Sequence, residues 1–494
     1  MTRPINSSVG FEVMIGSGTS TYTISINKIY TVYFKITSSY RDLKEYRTIK
    51  LNNGLRVLLI ADTRVPLDKL EKEENGSVED GDGENNLKKS TASLCVGMGS
   101  FSDLECLPGI AHFLEHMVFM GSAKYTDESD FSFFIANHGG TYNAFTMTES
   151  TVFYFDIQRN SFYQGLDRLA QFFYISFIEK RINDKRKRGC GQRIPHGDSN
   201  IPWENFFGGN IDSLSPKDMD DESIHKLLVK FKDRHYSAQY MTLVIQSQDT
   251  LDNLQKMVEE LFSNIPNNGL EQETFDHLKH PVKPIRWLSW IIGHEGKGSL
   301  IAYLREKNLA LDLFAGNSGY GFSMNSTCSL FSIGIELTES GFNNYEHVIK
   351  IVYSYLSMLK EYGPVEHIFD EIQKIEQLDF DLGKECSPID NVQTICQNMQ
   401  FLPPKRYLDG DKLMFEFDKT LIKECLDHLF DTSNVNIMLS GKEFSNLVNK
   451  VEPWFKTKYF AEEITSSRLD QWKSLNPSLS SFFSFTGRKQ IYSS

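Results

Sequence analysis

Residues 108–119 read Pro-Gly-Ile-Ala-His-Phe-Leu-Glu-His-Met-Val-Phe, which sets two histidines four positions apart with a glutamate just before the second. At 3.6 residues per helical turn, His112 and His116 stand one turn apart on the same face, so both imidazoles can reach one ion while Glu115 lies beside them. That is half of a zinc site. Zinc in a catalytic centre takes neutral imidazoles, a third protein ligand and a water, and a neighbouring carboxylate serves as general base toward that water. The H-x-x-E-H order is the inverted form of a zinc-peptidase signature. The alternative is a pair of satisfied core histidines. Context separates the two readings: Ile110, Ala111, Phe113, Leu114, Met117 and Val118 make the helix apolar nearly all round, so it must be buried. Two histidines and a carboxylate inside such a helix are costly unless a metal coordinates and neutralises them.

The elements that must hold this motif are legible around it. Pro108 suits a helix N-terminus, and a strand is expected near Lys50 to Ala61 as the first ordered element. Strand and helix signals alternate in an α+β pattern, and 494 residues are enough for two domains. Pro266-Asn267-Asn268-Gly269 is a loop signal that marks a boundary. The expected organisation is a poorly ordered N-terminal extension over 1–42, a domain carrying the H-x-x-E-H helix over 43–269, a second domain over 270–480, and a tail over 481–494. Within the first domain an insert at 65–90 is rich in carboxylates (Asp68, Glu71, Glu73, Glu74, Glu79, Asp80, Asp82, Glu84) and poor in apolar residues, so it cannot fold on its own.

The chain resembles the insulinase-like (pitrilysin) family of zinc metallopeptidases beyond the motif itself. The resemblance runs through 51–60 (Leu-Asn-Asn-Gly-Leu-Arg-Val-Leu-Leu-Ile), Phe119-Met120-Gly121-Ser122, His138-Gly139-Gly140, Asn143-Ala144-Phe145-Thr146 and 166–173. It continues at Tyr240-Met241-Thr242-Leu243-Val244, 265–269, 293–299 and 391–399. The acidic insert points to the branch of the family whose first domain carries such an insertion. The resemblance implies an architecture of two related α/β roll domains, each an antiparallel sheet backed by helices, forming one half of a clamshell, with 481–494 as the start of the linker between halves. Relatives have further strands between Pro281 and Trp287, so the second sheet is expected to be incomplete.

The resemblance also implies roles. His112 and His116 hold one Zn2+, Glu115 activates water, and the strand bearing Asn143-Ala144 pairs with an extended substrate backbone, adding a strand to a sheet edge. Gly139-Gly140, just before it, is equally a plain hairpin turn. Residues 316–322 resemble the second-domain edge that anchors peptide N-termini. Implied substrates are peptides cleaved beside basic residues. The acidic insert is either a solvated loop or a docking surface for basic peptides, polyamines or proteins.

The third ligand departs from the family pattern. Relatives use a glutamate in a stretch close to R-E-V-x-A-V-D-S-E, and the interval from His116 lands on Arg193, within Gly189-Cys190-Gly191-Gln192-Arg193. A guanidinium cannot ligate zinc. A codon string for E-A-V-D-S-E read two nucleotides later gives Gly-Cys-Gly-Gln-Arg, which a frameshift would explain; a basic loop in a degenerate paralogue is the alternative. Glu179 and Glu204 are the nearest substitute carboxylates, and neither lies at the family position. Two functions follow: a zinc metalloendopeptidase, or an impaired half-molecule that binds peptides or proteins.

Composition narrows the partners. A net charge of −13 disfavours nucleic acid and favours cationic ligands. Seven cysteines with no C-x-x-C pair fit reduced thiols in the cytoplasm, and no apolar run is long enough for a membrane span or a signal peptide.

Overall fold

The structure, a computed structural model, describes residues 29–30, 38–39, 41–63, 89–174, 214, 219–275, 284–317, 321–431, 435–452 and 456–473. The acidic insert up to residue 88, the segment 175–213 containing Glu179, Arg193 and Glu204, and the tail 481–494 lie outside the described residues.

Seven strands among them form one sheet: β1 (Ile29–Tyr30), β2 (Glu45–Leu51), β3 (Arg56–Ala61), β4 (Ser90–Val96), β5 (Thr141–Thr146), β6 (Thr151–Ile157) and β7 (Met241–Ser247), in the order β1-β2-β3-β7-β4-β6-β5. The single strand expected from Lys50 to Ala61 is two strands. Asn52-Asn53-Gly54 turns the chain between them, with Gly54 at φ 93°, a conformation that favours glycine, and the Asn53 amide donating to the carbonyls of Phe262 and Ile265. The sheet is mixed where a wholly antiparallel one was expected, because β7 pairs parallel with β3 and antiparallel with β4. The long helical excursion before β7 gives the chain enough length to re-enter in the direction of β3.

Alternation along the strands places the core. Val57 and Leu59 of β3, with Ala92, Leu94 and Val96 of β4, face one side. There they meet α1 (Ile110–Val118), α2 (Asp130–Asn137), α3 (Phe162–Gln171), α4 (Asp221–His235) and α5 (Leu251–Phe262). Leu58, Ile60, Cys95, Val152 and Val244 point the other way. Both faces are covered, so these strands read as continuous apolar runs. Each fully buried aliphatic or aromatic side chain contributes roughly 1.5–3 kcal/mol.

The second core is built from α6 (Pro284–Gly293), α7 (Leu300–Glu306), β8 (Ala310–Gly316), β9 (Ser332–Leu337), α8 (Tyr345–Tyr362), α9 (Glu366–Leu382) and, after the intervening α10 (Pro388–Phe401), α11 (Lys419–Phe430). Trp287, Leu288, Ile301, Ile351, Leu356 and Ile422 are buried at its centre. Its sheet has two strands among the described residues, β8 and β9, and leaves Leu311 and Phe314 exposed. The helix α10 leaves this region and closes the open face of the first sheet, where Val392, Ile395, Cys396 and Met399 meet Leu58, Val152 and Val244. A helix from the later part of the chain therefore completes the core on that face of the first sheet.

Candidate metal and peptide site

The helix α1 begins at Gly109, whose φ of 91° lets the chain turn into the first helical residue. Its flanks bury Ile110, Ala111, Phe113, Leu114, Met117 and Val118, which leaves His112 and His116 half-buried on the remaining face. Their Nε2 atoms are 3.1 Å apart. Two imidazole nitrogens on a tetrahedral zinc, each at 2.0–2.1 Å, stand about 3.3 Å from one another, so the pair is spaced to fit the ion. Ligand atoms of His112, Glu115 and His116 all lie within 4.8 Å of one another. The donor set supplied by the described residues is thus two nitrogens and a carboxylate. The position expected for a further ligand, Arg193, lies outside them, as do Glu179 and Glu204.

Glu115 is 4% exposed, and burial pushes its carboxyl above the ordinary value, against the pull of His112 and of a hydrogen bond from Thr146. That bond runs from Thr146 Oγ1 to Glu115 Oε2 at 2.7 Å. Thr146 terminates β5, the strand that carries Asn143 and Ala144. Thus β5 and the carboxylate of α1 are joined directly.

β5 is the edge of the sheet. Asn143 pairs with Tyr154 and Ala144 with Phe153 of β6, and β5 has no further neighbour among the described strands. Asn143 is exposed, and its own side-chain Oδ1 accepts the Ala144 amide at 2.9 Å. Gly140 sits close against β6, because a Cβ there would lie 2.2 Å from the Asp156 carbonyl oxygen. Of 316–322, Gly316 ends β8, and Gly321, at φ 120°, packs against Met147; 318–320 lie outside the described residues.

Three residues near the site were not singled out from the sequence. Thr146 lay inside a recognised segment, but its contact with Glu115 requires two elements to meet. Tyr236 is buried between Phe153 and Phe173, and its phenol is pushed well above the ordinary value by burial and then by the charge of Glu115. Asp103 accepts the amides of Gly109 at 2.7 Å and Ala111 at 2.9 Å, capping α1 from six residues upstream of Gly109, which no usual capping offset would suggest.

Comparison with known proteins agrees in sequence and in fold. Residues 83–201 match the family description "Insulinase (Peptidase family M16)", 224–286 and 280–376 match "Peptidase M16 inactive domain", and 380–484 match "Middle or third domain of peptidase M16". Nardilysin of Mus musculus is 42% identical over 448 residues, covering 79% of this chain and 38% of that protein. Nardilysin of Homo sapiens is 40% identical over 447 residues, covering 79% of this chain and 39% of that protein. The chain therefore spans less than two fifths of the length of these relatives. Among solved structures, that of pitrilysin superposes with a TM-score of 0.74 at 21% identity over 92% of this chain and 50% of that one. The fold is that of one half of the pitrilysin clamshell.

Proposed function

The chain belongs to the insulinase family of peptidases, and we propose that it is a zinc-dependent metalloendopeptidase half that hydrolyses peptides near basic residues. The observation that carries this is the facing His112–His116 pair with Glu115 buried beside it and bonded to the edge strand β5. His112 and His116 would hold the ion, which when bound polarises the scissile carbonyl and acidifies water. An extended peptide adds to β5 at Asn143-Ala144, its backbone taking over the Ala144 amide from the Asn143 side chain. Because Thr146 lies on the same strand and touches Glu115, a peptide in that register runs past the carboxylate. Glu115 accepts the water proton at Oε1, the oxygen that Thr146 does not engage, and passes it to the leaving amine.

This reading also assigns the acidic insert at 65–90 to cationic ligands such as basic peptides, polyamines or proteins, in keeping with the net charge of −13, and places the chain in the cytoplasm. No helix among the described residues is long and apolar enough to cross a membrane. A second reading is favoured by one sequence feature, the arginine at position 193 where relatives have the ligating glutamate. In that case the chain is a catalytically impaired module that binds peptides or proteins through β5. Cleavage of a fluorogenic peptide containing a basic pair separates the two. Chelator-sensitive turnover that falls by about 10²–10⁴ in Glu115→Gln supports the peptidase, whereas peptide binding with no turnover supports the binding module.

A further inference from the structure

The turn at 147–150, which joins β5 to β6, is where three parts of the molecule meet. On one side it touches the β8–β9 connection of the second core. Glu149 Oε2 accepts the Ser326 amide at 2.8 Å and Oε1 accepts the Ser326 hydroxyl, across 177 residues of sequence. Thr148 Oγ1 donates to the Gly321 carbonyl at 3.2 Å, and Gly321 lies so close to Met147 that a Cβ there would stand 3.1 Å from its sulfur. The connection is itself stiffened by buried Asn325, whose Oδ1 accepts the amides of Thr327 and Cys328 and whose Nδ2 donates to Gly321. A glutamate that spends both oxygens on one distant serine holds a chosen orientation.

On its other side the turn is bonded to the approach to the metal helix. The amide of Ser100 donates to the Met147 carbonyl at 2.9 Å, and that of Phe101 to the Thr148 carbonyl at 2.8 Å. A Cβ at Gly99 would lie 2.2 Å from the Met147 oxygen, so the two backbones are in direct contact. The short helical turn Ser100–Ser102 leads at once to Asp103, which grips the first amides of α1. A hydrogen-bonded path therefore runs from Ser326 through Glu149 and Thr148, across Phe101 and Ser100, to Asp103 and the helix that carries His112 and His116.

We propose that residues 147–150 are a strut that holds the β8–β9 connection against the metal helix, with Glu149 and Asp103 as positioning residues at its two ends. The strand that would receive substrate is anchored in the same turn, so the strut fixes the second core, β5 and α1 relative to one another. Its meaning for catalysis rests on the metal-site reading, but the strut is tested without metal. Amide hydrogen exchange of the purified chain is compared with Glu149→Ala, Asp103→Ala and, as a control for simple loss of a helix cap, Asp418→Ala, whose side chain caps α11 in the second core. Glu149→Ala is expected to speed exchange about tenfold both in 321–330 and in 109–118, while Asp103→Ala speeds 109–118 alone and Asp418→Ala changes neither. Should Glu149→Ala fail to fold, Glu149→Gln keeps the shape, removes the charge and gives a smaller change in the same two segments. Loosening of 321–330 with 109–118 at the parental rate overturns the proposal. Competition for Zn2+ with a chromogenic chelator then reads the consequence at the histidines, an affinity about tenfold weaker in Glu149→Ala. Absence of zinc binding in the parent counts against the metal site and leaves the exchange result to decide on the strut.

Discussion

At the scale of single residues, the site is governed by what burial does to Glu115 and by what Thr146 does to counter it. A carboxylate at 4% exposure needs donors, and among the described residues the Thr146 hydroxyl is bonded to it. Replacing Thr146 with valine removes that donor at nearly constant shape. Since a hydrogen bond to a charged group is worth about 1.5–3 kcal/mol, kcat/KM is expected to fall roughly 10- to 100-fold, with serine restoring most of it. Steady-state kinetics beside a thermal melt check this, because a purely structural role would lower the melting temperature of the valine variant in step with its activity. His235 provides a pH prediction. Burial lowers its pKa to about 4, the carboxylate of Glu273 at 4.0 Å opposes that shift, and Arg234 adds to it. A histidine whose folded pKa lies below its unfolded value of 6.5 leaves the unfolded chain holding the extra proton. Stability is therefore intact above about pH 6.5 and falls as the pH drops toward 4, by roughly 2–3 kcal/mol. Denaturant melts across that window should show this slope, and His235→Phe should flatten it.

At the scale of elements, what the sequence disclosed was whatever depends on near neighbours in the chain. The helix α1 was legible because a motif at i, i+3 and i+4 lay inside an apolar stretch, and the edge strand because Asn143-Ala144 sits in a recognised segment. The split of the first strand was missed although its Asn-Gly turn was visible, since apolar residues on both sides of the turn masked the break. The parallel β3–β7 pairing and the covering of the second sheet face by α10 were not legible, because both depend on partners far apart in sequence, 154 residues for Thr242 and Cys396. Asp103 and Thr146 escaped for the same reason at shorter range. The close fit of Gly140 against β6 makes an element-scale prediction. An alanine there would drive its Cβ into the Asp156 carbonyl, so Gly140→Ala is expected to displace the start of β5 and weaken peptide binding more than it lowers stability. Fluorescence anisotropy of a labelled basic peptide beside a denaturant melt measures both.

At the scale of the whole molecule, the packing of helix α10 on the first sheet sets how the chain unfolds. Ile395 is buried against the first sheet yet belongs to a helix that lies in sequence between α9 and α11 of the second core. Ile395→Ala is expected to cost about 2–5 kcal/mol and to leave one cooperative transition, while two separated transitions would mean that the parts fold independently. The negative charge acts at the same scale. Affinity for basic peptides should weaken as salt rises, and deleting 68–84 should remove much of that dependence if the insert is a docking surface. All of this bears on function only if α1 holds a metal. The decisive measurement is zinc content of the purified chain after dialysis against trace metal, by elemental analysis, with His112→Ala in parallel. One zinc per chain, lost in the variant, is the expected result. A chain that retains no zinc, or a variant that retains as much as the parent, would contradict the assignment of His112 and His116 as its ligands.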